Sequence, residues 1–149
     1  MFGAGFVTSI DSRINPCENL AKPSLTSRNL ALMTDLTNQV AIVSGASRGI
    51  GKAISLLLAL QGATVVAVAR SEQELSDLTH KTRGLSIVAD IADEADAQHV
   101  VAETLRHYGR LDILICNAGV GSFAELEQFT GEEWDRIFDT NVKGTFLLC

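Results

Sequence analysis

The chain has 149 residues, with 12 Lys plus Arg against 18 Asp plus Glu and a formal charge of −6. Hydrophobic residues make up 46% and charged residues 20%, the balance of a globular chain of one domain and not of a disordered one. The acidic excess argues against nucleic acid, whose binders carry a basic face, and the longest apolar stretch, Ala53–Leu60 broken by Ser55, is far below the roughly 18 residues of a membrane span. Three cysteines, Cys17, Cys116 and Cys149, are an odd number at wide spacing, which suits neither a disulfide framework nor a zinc site and points to a reducing compartment.

Residues 1–38 form an irregular arm. Both prolines, Pro16 and Pro23, lie in it, its charges cancel, and no apolar period runs through it. No Lys or Arg precedes the mildly apolar Met1–Ile10, so a secretory signal is not expected. Six Ser or Thr and three basic residues before Met33 suit an organellar transit peptide, but Asp11 and Glu18 count against one. The simplest reading makes Met33 the true start, the preceding residues an upstream extension and the protein cytoplasmic.

From Gln39 the pattern becomes regular. Val40–Val43 predicts a strand, and Ile50, Ala53, Ile54, Leu57 and Leu58 then recur at helical spacing, with Gly62 just past the helix end. Thr64–Ala69 reads as a second strand, and Ser71-x-x-Glu74 as a capping box opening a helix to about His80. Leu85–Ala89 is a third strand, and Asp93 caps a helix reaching Tyr108, with Gly109 as its stop. Leu111–Cys116 is a fourth strand, and Thr130-x-x-Glu133 a second capping box, opening a helix that still runs at Cys149. Four apolar strands separated by helices make successive βαβ units with right-handed crossovers. The predicted fold is α/β, a doubly wound parallel sheet.

The segment Ser44-Gly45-Ala46-Ser47-Arg48-Gly49-Ile50-Gly51 joins the first strand to the first helix. Glycines let the chain turn tightly and let a diphosphate approach the backbone, and the helix start offers free N–H groups with a positive dipole end. An ATPase-type phosphate loop is excluded by Ala46 and Ala53 at its required Gly and Ser/Thr positions. The G-x-G-x-x-G dinucleotide fingerprint fails at Ile54, so the spacing is Gly45-x3-Gly49-x-Gly51.

The end of the second strand bears on which dinucleotide would bind. An acidic residue there would accept the ribose 2′-hydroxyl of NAD, whereas Arg accommodates the 2′-phosphate of NADP. The strand ends Ala69-Arg70 with no acid before Glu72, and Arg48 is a second cation in the loop. NADP(H) is therefore expected over NAD(H). Asp93, Glu94 and Asp96 read as a solvated helix start, not a metal site, and no histidine has ligand spacing to a cysteine.

These residues resemble the short-chain dehydrogenase/reductase family. Ser44–Gly51 is similar to its T-G-x-x-x-G-x-G loop, with Ser44 for Thr, and Cys116-Asn117-Ala118-Gly119 to its N-N-A-G motif, with Cys116 for the first Asn. Asp90 matches the acid that closes the third strand at the adenine, and Asn141 in Asn141-Val142-Lys143-Gly144 the Asn of the catalytic tetrad. Four motifs in order over residues 39–149 make the resemblance specific, and the segment is most similar to 3-oxoacyl-acyl-carrier-protein reductases and their relatives.

The resemblance implies a Rossmann fold and hydride transfer between a nicotinamide and a small-molecule carbonyl or alcohol, such as a 3-oxoacyl thioester or related ketone. It places Gly45, Ser47, Arg48, Gly49, Ile50, Gly51, Ala69, Arg70, Asp90, Ile91, Asn117, Ala118 and Gly119 at the cofactor, and it gives Asn141 a water linked to the catalytic Lys. A full-length form is expected to be a homo-oligomer. Independently, Trp134, Ile137, Phe138 and Asn141 fall on one helix face, so the Asn141 amide is expected either on a packed face with a partner or satisfied by neighbouring backbone.

The family's Ser and Tyr-x-x-x-Lys lie downstream of this Asn. The one tyrosine, Tyr108, has Asp112 four places on, so no such pair occurs here. Residues 39–149 thus read as a truncated nucleotide-binding domain, incomplete at the C-terminus and inactive by itself. The alternative is a non-catalytic nucleotide-binding or dimerisation module. A methyltransferase with a similar first βαβ unit is disfavoured by Asn117-Ala118-Gly119 and Asn141.

Overall fold

In a computed structural model of the protein, the structure describes residues 35–149. The readings of the arm before Asp35, including the Met33 start, lie outside the described residues. Four parallel strands, β1 (Val40–Ser44), β2 (Thr64–Ala69), β3 (Leu85–Val88) and β4 (Ile113–Ile115), are ordered β3-β2-β1-β4. Helices α1 (Gly49–Leu60), α2 (Glu72–Thr82) and α3 (Glu94–Tyr108) make the crossovers, and α4 (Gly131–Phe138) follows a long loop. The chain crosses from β1 outward to β3 and then returns to β4 on the other side of β1. The reversal leaves the carboxyl ends of β1 and β4 side by side, where open α/β sheets bind ligands.

The central strands are apolar on both faces because both are covered. Ile42, Val66, Val68, Ile87, Val100 and Leu148 pack on one side, and Val43, Val65, Ala67, Leu75 and Leu78 on the other. β4 differs: all three of its residues are only half-buried, because among the described residues it pairs with β1 alone. It is also shorter than Leu111–Cys116. Asp112 Oδ2 accepts from Val40 N at 2.8 Å, so a side chain meets the first N–H of β1. Leu36 N donates to Gln61 O at 2.9 Å, which ties Asp35–Asn38 to the turn after α1.

Three helices depart from expectation, two in packing and one in its cap. Of the five apolar residues of α1 read at helical spacing, Ile54 and Leu58 pack against the core, whereas Ile50 is 73% exposed and Ala53 and Leu57 are also exposed. The buried positions are Gly51 and Ser55, with Ile54, Leu58 and Ala59 beside them. The rotation follows from Gly51, which lies so close to Gly45 O that no side chain fits between them. The Ser71 box is not formed either: Ser71 caps α2 by backbone, with no side-chain hydrogen bond. Asp93 and Thr130 do cap with their side chains, accepting from Asp96 N at 3.0 Å and Glu133 N at 3.2 Å.

The third departure concerns the last helix. α4 passes into a π turn over Asp139–Lys143 and then into α5 (Gly144–Leu148), where Gly144 N donates to Asp139 O, five residues back. The extra residue per turn rotates the helix, so the buried positions are Thr140, Gly144 and Leu148. Trp134 and Phe138 are 53% and 43% exposed and stack on each other, with ring centroids 4.3 Å apart.

Candidate functional site

A cleft of about 740 Å³ opens at the carboxyl ends of β1, β2, β3 and β4. Its floor is the glycine loop. Gly45 and Gly49 have φ of +63° and +54°, a left-handed conformation that glycine adopts without strain. A Cβ on Gly45 would come within 2.7 Å of Ala118 Cα, so the loop and the Asn117–Gly119 segment touch backbone to backbone. Arg48 is the N-cap of α1, leaving the first N–H groups of the helix, those of Gly49 and Ile50, at the cleft with no intrahelical carbonyl to bind.

Ser44 and Asn117 fix this arrangement. Ser44 Oγ accepts from Asn117 N at 3.0 Å and Ala118 N at 3.1 Å, and donates to Ile115 O at 3.3 Å. Asn117 Nδ2 donates in return to Ser44 O and Gly45 O at 3.1 and 3.2 Å. The turn after β4 is thereby locked to the turn after β1. Sequence reasoning treated Ser44 only as a substitute for Thr. Its hydroxyl is fully buried and joins three backbone groups, work that a hydroxyl at this position does whichever of the two residues carries it.

The end of the cleft at β2 and β3 is shaped by charge. Asp90 Oδ1 accepts from Ala92 N at 3.1 Å, and Asp90 N donates to Asp96 Oδ2 at 2.8 Å, so the turn after β3 is closed by two carboxylates. Arg70 Nη1 lies 3.6 Å from Asp90 Oδ2, both side chains being partly exposed. Arg48 is exposed at the rim and makes no ion pair among the described residues.

Of the thirteen residues assigned to the cofactor from sequence, the structure brings twelve to the cleft wall; Gly51 is buried beneath the loop, against Gly45 O and Asn117 Nδ2. Val68, Ser71, Glu74, Ala89, Val120 and Thr140 also line it. Asn141 is set back. Its Oδ1 accepts from Val120 N at 2.8 Å and its Nδ2 donates to Val120 O at 2.9 Å, so its amide is satisfied by backbone and its side chain is exposed, not packed with Trp134 and Phe138. Among the described residues no three metal-ligating side chains gather, and no helix is long and apolar enough to cross a membrane.

The short chain dehydrogenase family matches residues 39–149, and the chain belongs to that family of oxidoreductases. It is 41% identical over 120 residues to a hydroxynaphthalene reductase-like protein of Metarhizium robertsii, covering 76% of this chain and 45% of the relative. It is 37% identical over 116 residues to the 3-oxoacyl-acyl-carrier-protein reductase of Thermotoga maritima, covering 74% and 47%. Among solved structures, the 3-ketoacyl-acyl-carrier-protein reductase of Brucella melitensis, complexed with NADH, superimposes with a TM-score of 0.74 at 35% identity, covering 76% and 48%. The chain thus spans just under half the length of the relatives it matches.

Proposed function

We propose that this chain supplies the nucleotide-binding half of an NADP(H)-dependent reductase acting on a 3-oxoacyl thioester or related ketone. The observation that carries the reading is the cleft itself. A glycine turn with a free helix start faces two arginines, Arg48 and Arg70, and no carboxylate ends β2. The volume suits a dinucleotide bound in part, since ligand clefts span about 300–1,000 Å³.

Gly45, Ser47, Gly49 and Ile50 would hold the diphosphate through backbone N–H groups, with Gly51 keeping the loop low beneath it. Arg48 and Arg70 would take the 2′-phosphate beside Ala69, Asp90 and Ile91 the adenine, and Asn117, Ala118 and Gly119 the nicotinamide ribose. A bound nicotinamide would supply the hydride. Asn141 positions the Gly119–Val120 backbone by its paired hydrogen bonds and offers the family's water a backbone carbonyl, not its amide. The acid–base Tyr and its Lys are not among these 149 residues, so the chain by itself is expected to bind nucleotide without turnover. We place the protein in the cytoplasm.

A second reading, a pairing module, is favoured by the exposed apolar residues Trp134 and Phe138 on α4, Val142 in the π turn and Phe146 on α5. Longer forms of the protein would be homo-oligomers through such a surface. The test is a fluorescence titration of the chain with NADPH, with NADPH oxidation followed in the presence of acetoacetyl thioesters. Saturable binding without turnover is expected. No binding of either dinucleotide would overturn the reading.

A further inference from the structure

We propose that Thr140 is a further nucleotide-binding residue, its hydroxyl hydrogen-bonded to the adenosine moiety of the dinucleotide, which rests on the reading of the cleft as a dinucleotide site. Four polar residues are buried among the described residues: Ser44, Ser55, Thr104 and Thr140. Three of them satisfy their hydroxyls inside the protein. Ser44 Oγ meets three backbone groups, and Ser55 Oγ and Thr104 Oγ1 each donate to the carbonyl four residues back, at 2.9 and 2.7 Å. Thr140, 8% exposed, makes no side-chain hydrogen bond among the described residues.

That hydroxyl opens on the cleft. Every wholly enclosed side-chain nitrogen or oxygen among the described residues has a hydrogen-bond partner, so the unpaired Thr140 Oγ1 is reached from outside, and the surface Thr140 lines is the cleft wall. Thr140 is the second residue of the π turn, and π turns recur at functional sites. The turn is held from both sides. Four residues on, Gly144 seats so closely on Ile91 that a Cβ would lie 2.7 Å from Ile91 Cδ1 and 3.1 Å from Ile91 O. Asn141, the next residue, is bound to Val120 N and Val120 O. Thr140 therefore stands between the turn after β3 and the loop after β4, and Ile91 and Val120 line the same cleft.

The position fits the adenosine half of the ligand. A diphosphate on the glycine loop leaves the base and its ribose between that loop and Asp90–Ile91, and Gly144 brings the helix of Thr140 against Ile91. A hydroxyl donates one hydrogen bond and accepts two, so it can meet a ring nitrogen of adenine or a hydroxyl of the ribose. A threonine retained for the helix alone would donate to the carbonyl four residues back, that of Arg136, as Ser55 and Thr104 do to theirs. Thr140 does not. A buried polar group without a partner costs free energy, and a ligand that supplies the partner gains affinity from it.

The test is calorimetric titration of the whole chain with NADPH and with adenosine 5′-diphosphate, which lacks both the nicotinamide half and the 2′-phosphate. Thr140→Val keeps the branched shape and removes the hydroxyl. It should weaken both ligands by the same factor, about threefold to tenfold, the worth of one neutral hydrogen bond. Thr140→Ser, which keeps a hydroxyl, should bind both within about twofold of wild type. Ligand-free Thr140→Val should melt no lower than wild type, because no hydrogen bond inside the protein is lost. Unchanged affinities in Thr140→Val, a loss confined to NADPH, or a lower thermal midpoint without ligand would each overturn the proposal. If wild type binds neither ligand, the reading of the cleft fails and the proposal falls with it. Wild-type binding that Thr140→Val leaves intact overturns this inference alone.

Discussion

Asn141 is closed onto Val120, its Oδ1 accepting from the Val120 N–H at 2.8 Å and its Nδ2 donating to the Val120 carbonyl at 2.9 Å. The pair fastens the loop after β4 to the π turn of the last helix, 21 residues away, and it uses both ends of the amide. Asn141→Asp keeps the shape, removes the donor and sets a carboxylate against the Val120 carbonyl. The expected loss is about 1–2 kcal/mol, read as a fall of about 4 °C or more in the thermal midpoint by circular dichroism.

Gly51 has no room for a methyl group: a Cβ there would meet Gly45 O and lie 2.5 Å from Asn117 Nδ2. Gly51→Ala should therefore push the glycine loop away from Asn117 and lower NADPH affinity by at least tenfold in a fluorescence titration. Gly49→Ala meets no neighbouring atom but must hold a φ of +54°. Its cost should be smaller, about 1 kcal/mol of stability.

Ala69 ends β2 beside Arg70 and lines the cleft. Ala69→Asp puts a carboxylate where a ribose diol can be accepted and a 2′-phosphate is repelled. The ratio of NADPH to NADH affinity should fall by at least tenfold in calorimetric titrations, with NADH binding unchanged or tighter.

Asp112 gives the fold a pH dependence of known sign. The Arg110 guanidinium, 2.7 Å away, and the Val40 N–H hold its carboxyl below the ordinary carboxylate range. A group depressed in the folded state contributes stability above its unfolded value, about 3.9, and loses it as pH falls through the folded value. Urea midpoints of wild type and Asp112→Asn should differ at pH 7 and converge below about pH 4.

The strands, their parallel order and the glycine cleft were legible in the sequence because burial on both faces demands continuous apolar runs, and because left-handed turns at Gly45 and Gly49 demand glycine. The rotation of α1 was not legible. Its apolar residues are more numerous than its buried ones, and the contact of Gly51 with Gly45 O, not the hydrophobic period, selects the inner face.

The π turn was hidden for a related reason. A regular period through Trp134, Phe138 and Asn141 shows nothing of an extra residue in the turn, and the switch of face to Thr140, Gly144 and Leu148 depends on Gly144 seating against Ile91. The locks Ser44–Asn117 and Asn141–Val120 join residues far apart in the chain through single polar atoms. Composition and spacing carry no signal for such bonds.

The central claim is that two arginines at the rim select the 2′-phosphate. Calorimetric titration of the 149-residue chain with NADPH and NADH under identical low-salt conditions tests it most directly. The account predicts tighter binding of NADPH, with the difference shrinking as salt screens Arg48 and Arg70. Equal affinities, or tighter binding of NADH, would contradict it.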